Sequence, residues 1–124
     1  MGDLAKAAIA DRQYKERAIQ RALKRRGQRE SALEEKCVAY AKARGWRARK
    51  MNGLGFRDWP DRLFIPRVNR RGKLRSFWVE FKRLGQLPTE AQGRMADDLA
   101  QRGEIVYTCD NFERFIDIFK QRNG

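Results

Sequence analysis

Two carboxylates and an ammonium group carry the chemistry this chain could do. Asp61 follows Pro60 at the start of an apolar run, and one predicted strand later comes the triplet Glu80-Phe81-Lys82. If residues 61–65 and 74–81 pair as a hairpin, Asp61 lies beside the far end of the second strand, near Glu80. Glu80 and Lys82 are two apart on one strand, so they share a face. Two carboxylates placed in this way could hold one or two magnesium ions, which prefer oxygen ligands. Such an ion lowers the pKa of a bound water and stabilises charge building on a phosphate. Lys82 would steady the attacking water or the phosphate. The plain alternative is a half-exposed strand, in which Glu and Lys alternate with apolar residues as a matter of course. Trp78, Glu80 and Lys82 oppose Phe77, Val79 and Phe81, so their face is either solvated or a cleft.

The absences narrow the choice. The chain has no His, which removes His-based acid–base catalysis, Ser-His-Asp and Cys-His nucleophile systems, and zinc sites that need imidazole. Its two cysteines, Cys37 and Cys109, are too few for a zinc site and read as reduced, buried, small hydrophobes. Catalysis here must rest on carboxylates, lysine and a hard metal ion.

Several elements must position these groups. A helix is expected over Ser31 to Arg44, with Ser31 as its cap, Glu34 in a capping box and Gly45 as its stop. Its buried face is Leu33, Cys37, Tyr40 and Ala41. Strands follow over Trp46 to Met51, Arg62 to Pro66 and Leu74 to Phe81, with a Gly-rich loop over 52–56 and a basic turn over 69–72. Pro88-Thr89 opens a helix running to about Arg102, and Gly103 stops it. A strand over Glu104 to Cys109 precedes a last helix capped by Asp110 or Asn111, with Phe112, Phe115, Ile116 and Phe119 on its buried face. Residues 1–29 form a separate basic arm of high helix propensity but weak apolar periodicity, ending in Lys24-Arg25-Arg26. The arm reads either as a docking or nucleic-acid-binding helix or as a solvated basic tail. The remainder, 30–124, reads as one mixed α/β domain.

The 124 residues carry 29 Lys and Arg against 16 Asp and Glu, a net charge of +13. An excess of this size on a short chain favours a polyanion, and nucleic acid gains free energy by releasing counterions. No apolar run approaches the roughly 18 residues of a spanning helix, and the N-terminus lacks the apolar core of a secretory signal. The expected location is cytoplasmic, without a membrane partner.

Four segments, in order, carry a resemblance to a known family. They are Glu30-Ser31-Ala32-Leu33-Glu34, Asp58-Trp59-Pro60-Asp61-Arg62-Leu63, Phe77-Trp78-Val79-Glu80-Phe81-Lys82, and Gly85-Gln86-Leu87-Pro88-Thr89-Glu90-Ala91-Gln92. Together they resemble the VRR-NUC (virus-type replication-repair nuclease) branch of the PD-(D/E)XK nuclease superfamily, over about residues 30 to 118. The resemblance implies an α-β-β-β-α-β core and hydrolysis of phosphodiesters with Mg2+ or Mn2+. It assigns Asp61, Glu80 and the Phe81 carbonyl as metal ligands, and Lys82 as the catalytic lysine. It places Glu34, with Glu30 in reserve, as the acid of the first helix, and Gln92 as the family's glutamine. Both Glu34 and Gln92 have an alternative reading as members of capping boxes. Stand-alone members resemble junction-resolving homodimers, so the resemblance implies a structure-selective DNA endonuclease, with four-way (Holliday) junctions as one candidate substrate. A phage origin would suit the family. The long arm and the basic hairpin, Arg67 to Arg75, depart from its pattern.

Arg57, Arg62, Arg67, Arg70, Arg71, Lys73 and Arg75 are expected to cluster around the active edge and, with Lys24, Arg25 and Arg26, to hold phosphates without reading sequence. Trp59 and Trp78 read either as packing residues or as stacking platforms for an unpaired base. Two rivals remain: a non-catalytic nucleic-acid-binding module on the same fold, and a small basic RNA-binding protein.

Overall fold

A computed structural model describes residues 14, 17, 30–53, 55–69 and 71–123. The expectations for Lys24, Arg25, Arg26 and Arg70 lie outside these residues. Tyr14 and Arg17 are helical and exposed.

Helix α1 covers residues 30–43. Ser31 does not cap it, because Glu30 before it is already helical; the expected capping box with Glu34 is absent. The end of α1 follows expectation. Gly45 has φ 84°, and the N–H groups of Trp46 and Gly45 donate to the carbonyls of Ala41 and Lys42 at 3.1 and 3.0 Å. This is a Schellman close, which needs a left-handed residue at that point.

Three strands follow: β1 (Arg47–Lys50), β2 (Arg62–Ile65) and β3 (Phe77–Phe81). Helix α2 (Glu90–Gln101), strand β4 (Val106–Cys109) and helix α3 (Phe112–Asn123) complete the order. The sheet order is β1-β2-β3-β4. The first two pairings are antiparallel and the last is parallel, with α2 as the crossover that a parallel pair requires. The element order is the expected one. The strands are shorter than predicted, since the flanking residues leave the ladder.

One sheet face carries the main core. Phe64, Phe77, Val79 and Phe81 pack there against Cys37, Val38 and Ala41 of α1 and Phe115, Ile118 and Phe119 of α3. Ile118, not the expected Ile116, completes the buried face of α3. Phe64 stacks on Phe77 with centroids 5.2 Å apart, and Trp46 donates its indole N–H to Asn123 Oδ1 at 3.1 Å. Cys37 and Cys109 are free and fully buried, as expected.

The pleat sends Trp78 and Glu80 to the other face. There Trp78 is buried and meets the half-buried Trp59 at 5.5 Å, so Trp78 is a packing residue. All five residues of β3 are buried. A fully buried strand between two neighbours is the most rigid support the sheet offers.

Candidate active site

The register of β1 and β2 decides where the acids meet. Lys50 pairs with Arg62, and the Met51 N–H donates to the Asp61 carbonyl at 2.9 Å. Asp61 therefore sits one residue before β2, at the end of the sheet where β3 finishes. Pro60, fully buried, anchors the approach.

Asp61 is held from two sides. Its Oδ2 accepts the backbone N–H of Phe81 at 2.7 Å, and its Oδ1 accepts from Asn52 Nδ2. The backbone bond ties Asp61 directly to the Glu80-Phe81-Lys82 segment. Lys82 continues the parallel ladder, donating its N–H to the Cys109 carbonyl at 2.8 Å. Glu80 and Lys82 are each only 7% exposed, and Lys82 Nζ lies 3.5 Å from Glu80 Oε1. The face left open by the sequence is thus a cleft.

Helix α2 supplies Gln92. Thr89 caps the helix: the Gln92 N–H donates to Thr89 Oγ1 at 3.2 Å, and the Thr89 N–H donates to Gln92 Oε1 at 3.0 Å. The same Gln92 side chain donates from Nε2 to Glu80 Oε1 at 3.3 Å. The two readings of Gln92 are therefore compatible. Its oxygen closes the capping box, which aims its nitrogen at Glu80.

Helix α1 supplies Glu34 and Glu30. The Glu34 Oε1 accepts from Arg62 Nε at 2.7 Å, in a pair about one-fifth exposed on each side. Glu30 Oε1 accepts the backbone N–H of Arg83 at 3.1 Å. Both acids line the site, but each is engaged. Among the described residues, no three His, Cys, Asp or Glu side chains converge as a ready set of metal ligands.

Glu30, Ser31, Glu34, Lys50, Asp61, Glu80, Phe81, Lys82 and Gln92 line one cavity of about 350 Å³. Its electrostatics are strained. Burial pushes the Asp61 carboxyl above its ordinary range, against the pull of the Phe81 N–H, and the charge of Glu34 adds to the rise. Burial also pushes Glu80 up, to about 8, with the charge of Asp61 adding to it and Lys82 opposing it. Two desolvated carboxyls side by side resist joint ionisation unless positive charge joins them. The donors on offer are the oxygens of Asp61 and Glu80 and the Phe81 backbone, a hard set. One or two carboxylates with water completing the shell is the usual protein contribution to a magnesium site. The residues present fit such an ion.

The expected phosphate-binding arginines do not gather here. Arg62 lies at the site and Arg57 in the loop at the same end of the sheet. The 66–76 loop leaves β2 and enters β3 at the opposite end. There Arg67 lies beside Gly45 and donates to Asn123 Oδ1 at 3.4 Å. Arg75 donates to the Gly103 carbonyl at 2.8 Å. With Arg71 and Lys73 in the same loop, the basic hairpin is removed from the acids by the length of β3. A basic run near the motif in sequence ends up distant because an antiparallel pair returns the chain only after a full strand.

Sequence reasoning missed Lys50 and Asn52. Neither lies in a motif. Only the β1–β2 register brings them beside Asp61, and it could be inferred only with the length of the intervening loop known. Compared with known protein families and with curated proteins, the chain gives no match.

Proposed function

We propose that this protein is a metal-dependent nuclease of the PD-(D/E)XK type, acting as a structure-selective endonuclease on DNA. The observation that carries this reading is the pair of half-buried Asp61 and buried Glu80, joined through the Phe81 N–H, with the buried Lys82 ammonium beside it. Burying one carboxyl and a lysine, with a second carboxyl half-buried against them, costs free energy that apolar residues would not. Groups perturbed in this way within a cleft are candidates for a functional site. The element order, helix, three strands, helix and strand, agrees with the core that the four sequence segments imply.

Asp61, Glu80 and the Phe81 carbonyl would hold Mg2+ or Mn2+. When bound, the ion supplies an acidified water and neutralises charge on the phosphate. Asn52 and the Phe81 N–H fix the Asp61 carboxylate, so no reorganisation is needed as charge develops. Gln92 fixes the orientation of Glu80. Lys82, which lines the cavity, would hold the attacking water or a phosphate oxygen. In the reaction a water oxygen would bond to phosphorus as its proton passes to solvent, and the bond to one sugar oxygen would break, that oxygen leaving as a hydroxyl once solvent protonates it. Glu34, paired with Arg62, acts on the site through charge, and Arg62 stands ready to meet the phosphate. The net charge of +13 supplies general attraction to a polyanion.

One observation favours the non-catalytic module instead: Glu34 is turned to Arg62, leaving two carboxylates at the centre. A cleavage assay separates the two readings. Labelled single strands, duplex, flap, splayed and four-way DNA, with an RNA control, are incubated with Mg2+ or Mn2+ and with chelator. The nuclease reading expects metal-dependent cutting by wild type and none by Lys82→Ala. Tight binding without cutting on every substrate supports the module. Binding confined to RNA supports the RNA-binding rival.

A further inference from the structure

A second and larger cavity, of about 710 Å³, opens beside the acid pair. It is lined by Leu33, Lys82, Arg83, Leu84, Gln86 and Asp110, with the Gly85 backbone. Lys82 belongs to both cavities, so anything in the larger one lies next to whatever Lys82 holds.

Its volume falls in the range of about 300–1,000 Å³ typical of small-molecule sites, and its walls are mixed. Leu33 and Leu84 offer apolar surface. Leu84 is 79% exposed at the lip, and Leu87, further along the same loop, is 81% exposed. Leu84, which lines the cavity, thus presents an apolar surface to whatever enters it. On the polar side, Gln86 Oε1 is cut off from solvent and has no hydrogen-bond partner. A buried acceptor left unpaired is unfavourable and calls for a donor. The loop that carries these groups is fastened at both flanks: the Arg83 N–H donates to Glu30, and the Gly85 N–H donates to Asp110 Oδ2 at 3.0 Å.

We propose that this cavity is a base pocket, which takes one unpaired nucleotide of the strand whose phosphate lies at Asp61 and Glu80. The proposal rests on reading those acids as the cutting centre. A flat heterocycle would lie against Leu33 and Leu84, and a turn of the Gln86 side chain would bring its unpaired Oε1 out to an amino or imino N–H of the base. Lys82 and Arg83 would hold the phosphates on either side of it. Entry requires a base out of its stack, which costs least where pairing is already broken. The pocket therefore gives the enzyme a physical reason to prefer branched, splayed or single-stranded DNA over duplex. It needs no contact that reads sequence.

The test uses the full chain in chelator, so that no cutting occurs. Splayed-arm oligonucleotides carry 2-aminopurine at one position each, stepped across the junction and into one unpaired arm. Binding is followed separately by anisotropy. A several-fold change in 2-aminopurine emission at one or two adjacent positions, with the others flat, is expected. Gln86→Phe, which removes the acceptor and narrows the cavity, should abolish that change while altering affinity less than about threefold, because the phosphate contacts that dominate affinity remain. Leu84→Asp, at the exposed lip, repeats the test should Gln86→Phe fail to fold. Emission that stays flat at every position on bound oligonucleotide overturns the pocket, as does a response that survives both variants. Failure of the nuclease reading looks different: no metal-dependent cutting by wild type, while the emission response persists. Absence of any binding overturns both.

Discussion

The two ends of the sheet are built on opposite principles. Where β1 and β3 end, charge is drawn inward. Glu80 and Lys82 are buried, Asp61 is half-buried, and Glu34 and Arg62 form a pair about one-fifth exposed on each side. At the other end, the 66–76 loop carries Arg67, Arg71, Lys73 and Arg75 toward solvent; Arg67 meets the Asn123 amide oxygen and Arg75 the Gly103 carbonyl, both near helix ends. Both ends are rich in charge by sequence. Only one spends folding free energy on it. Cationic excess in a composition is cheap when solvated, whereas charge held in a cleft must be offset elsewhere in the fold.

This contrast can be broken by mutation. The largest effect is expected at the buried end: Asp61→Ala, Glu80→Ala and Lys82→Ala should each reduce cutting by at least about 10²–10³-fold, with circular dichroism unchanged. If Arg71→Ala or Lys73→Ala is as damaging, the ends are not functionally distinct.

The next effect is on stability against pH. Glu80 titrates near 8 in the folded protein, against about 4.5 ordinarily. The native state thus binds more protons than the unfolded state between these values. The stabilisation is full below about pH 4.5 and is lost as pH rises to about 8. In chelator, unfolding free energy should fall on the order of a few kcal/mol from pH 5 to pH 8, and Glu80→Gln should flatten the curve. Magnesium should raise the melting temperature more at pH 8 than at pH 5. A profile unaffected by Glu80→Gln would remove the carboxyl strain from the account.

A smaller effect is expected at the pair that flanks the site. A double-mutant cycle on Glu34→Gln and Arg62→Met should give a coupling of about 1 kcal/mol. Arg62→Met alone should also raise the metal concentration needed for half-maximal cutting if Glu34, once released, turns away from the cavity; a lower requirement would show instead that Glu34 joins the ion.

The smallest effect belongs to the distal loop. Neutralising Arg71 and Lys73 together should leave cutting within about threefold and lower the salt slope of DNA binding by less than about 2, the most that two phosphate contacts contribute. A larger change would bring the hairpin back to the substrate.

These regions also differ in how far they could be read in advance. β3 was legible because alternation along one strand places Phe77, Val79 and Phe81 opposite Trp78, Glu80 and Lys82. The helix ends at Gly45 and Gly103 and the capping box of Thr89 and Gln92 were legible because their rules span a few residues. The cap of α1 was misread because Ser31 stands inside a helix that is already under way at Glu30. Three partners of the acids were not legible. Asn52 reaches Asp61, Arg62 reaches Glu34, and Arg83 reaches Glu30 across separations that no local pattern encodes.

By itself, then, the sequence determined the mixed α/β element order, the excess of positive charge, and the short list of groups able to do chemistry without histidine. Those properties follow from residue type and from periodicities of two to four residues. Tertiary structure alone decided that the Glu80 face is a closed cleft, that Gln92 both caps α2 and meets Glu80, and that the basic hairpin lies a strand's length from the acids. Strand register and loop length set those outcomes. They are resolved only when distant segments compete to bury the same apolar surface, and a shift of one residue in that register would turn each side chain to the other face.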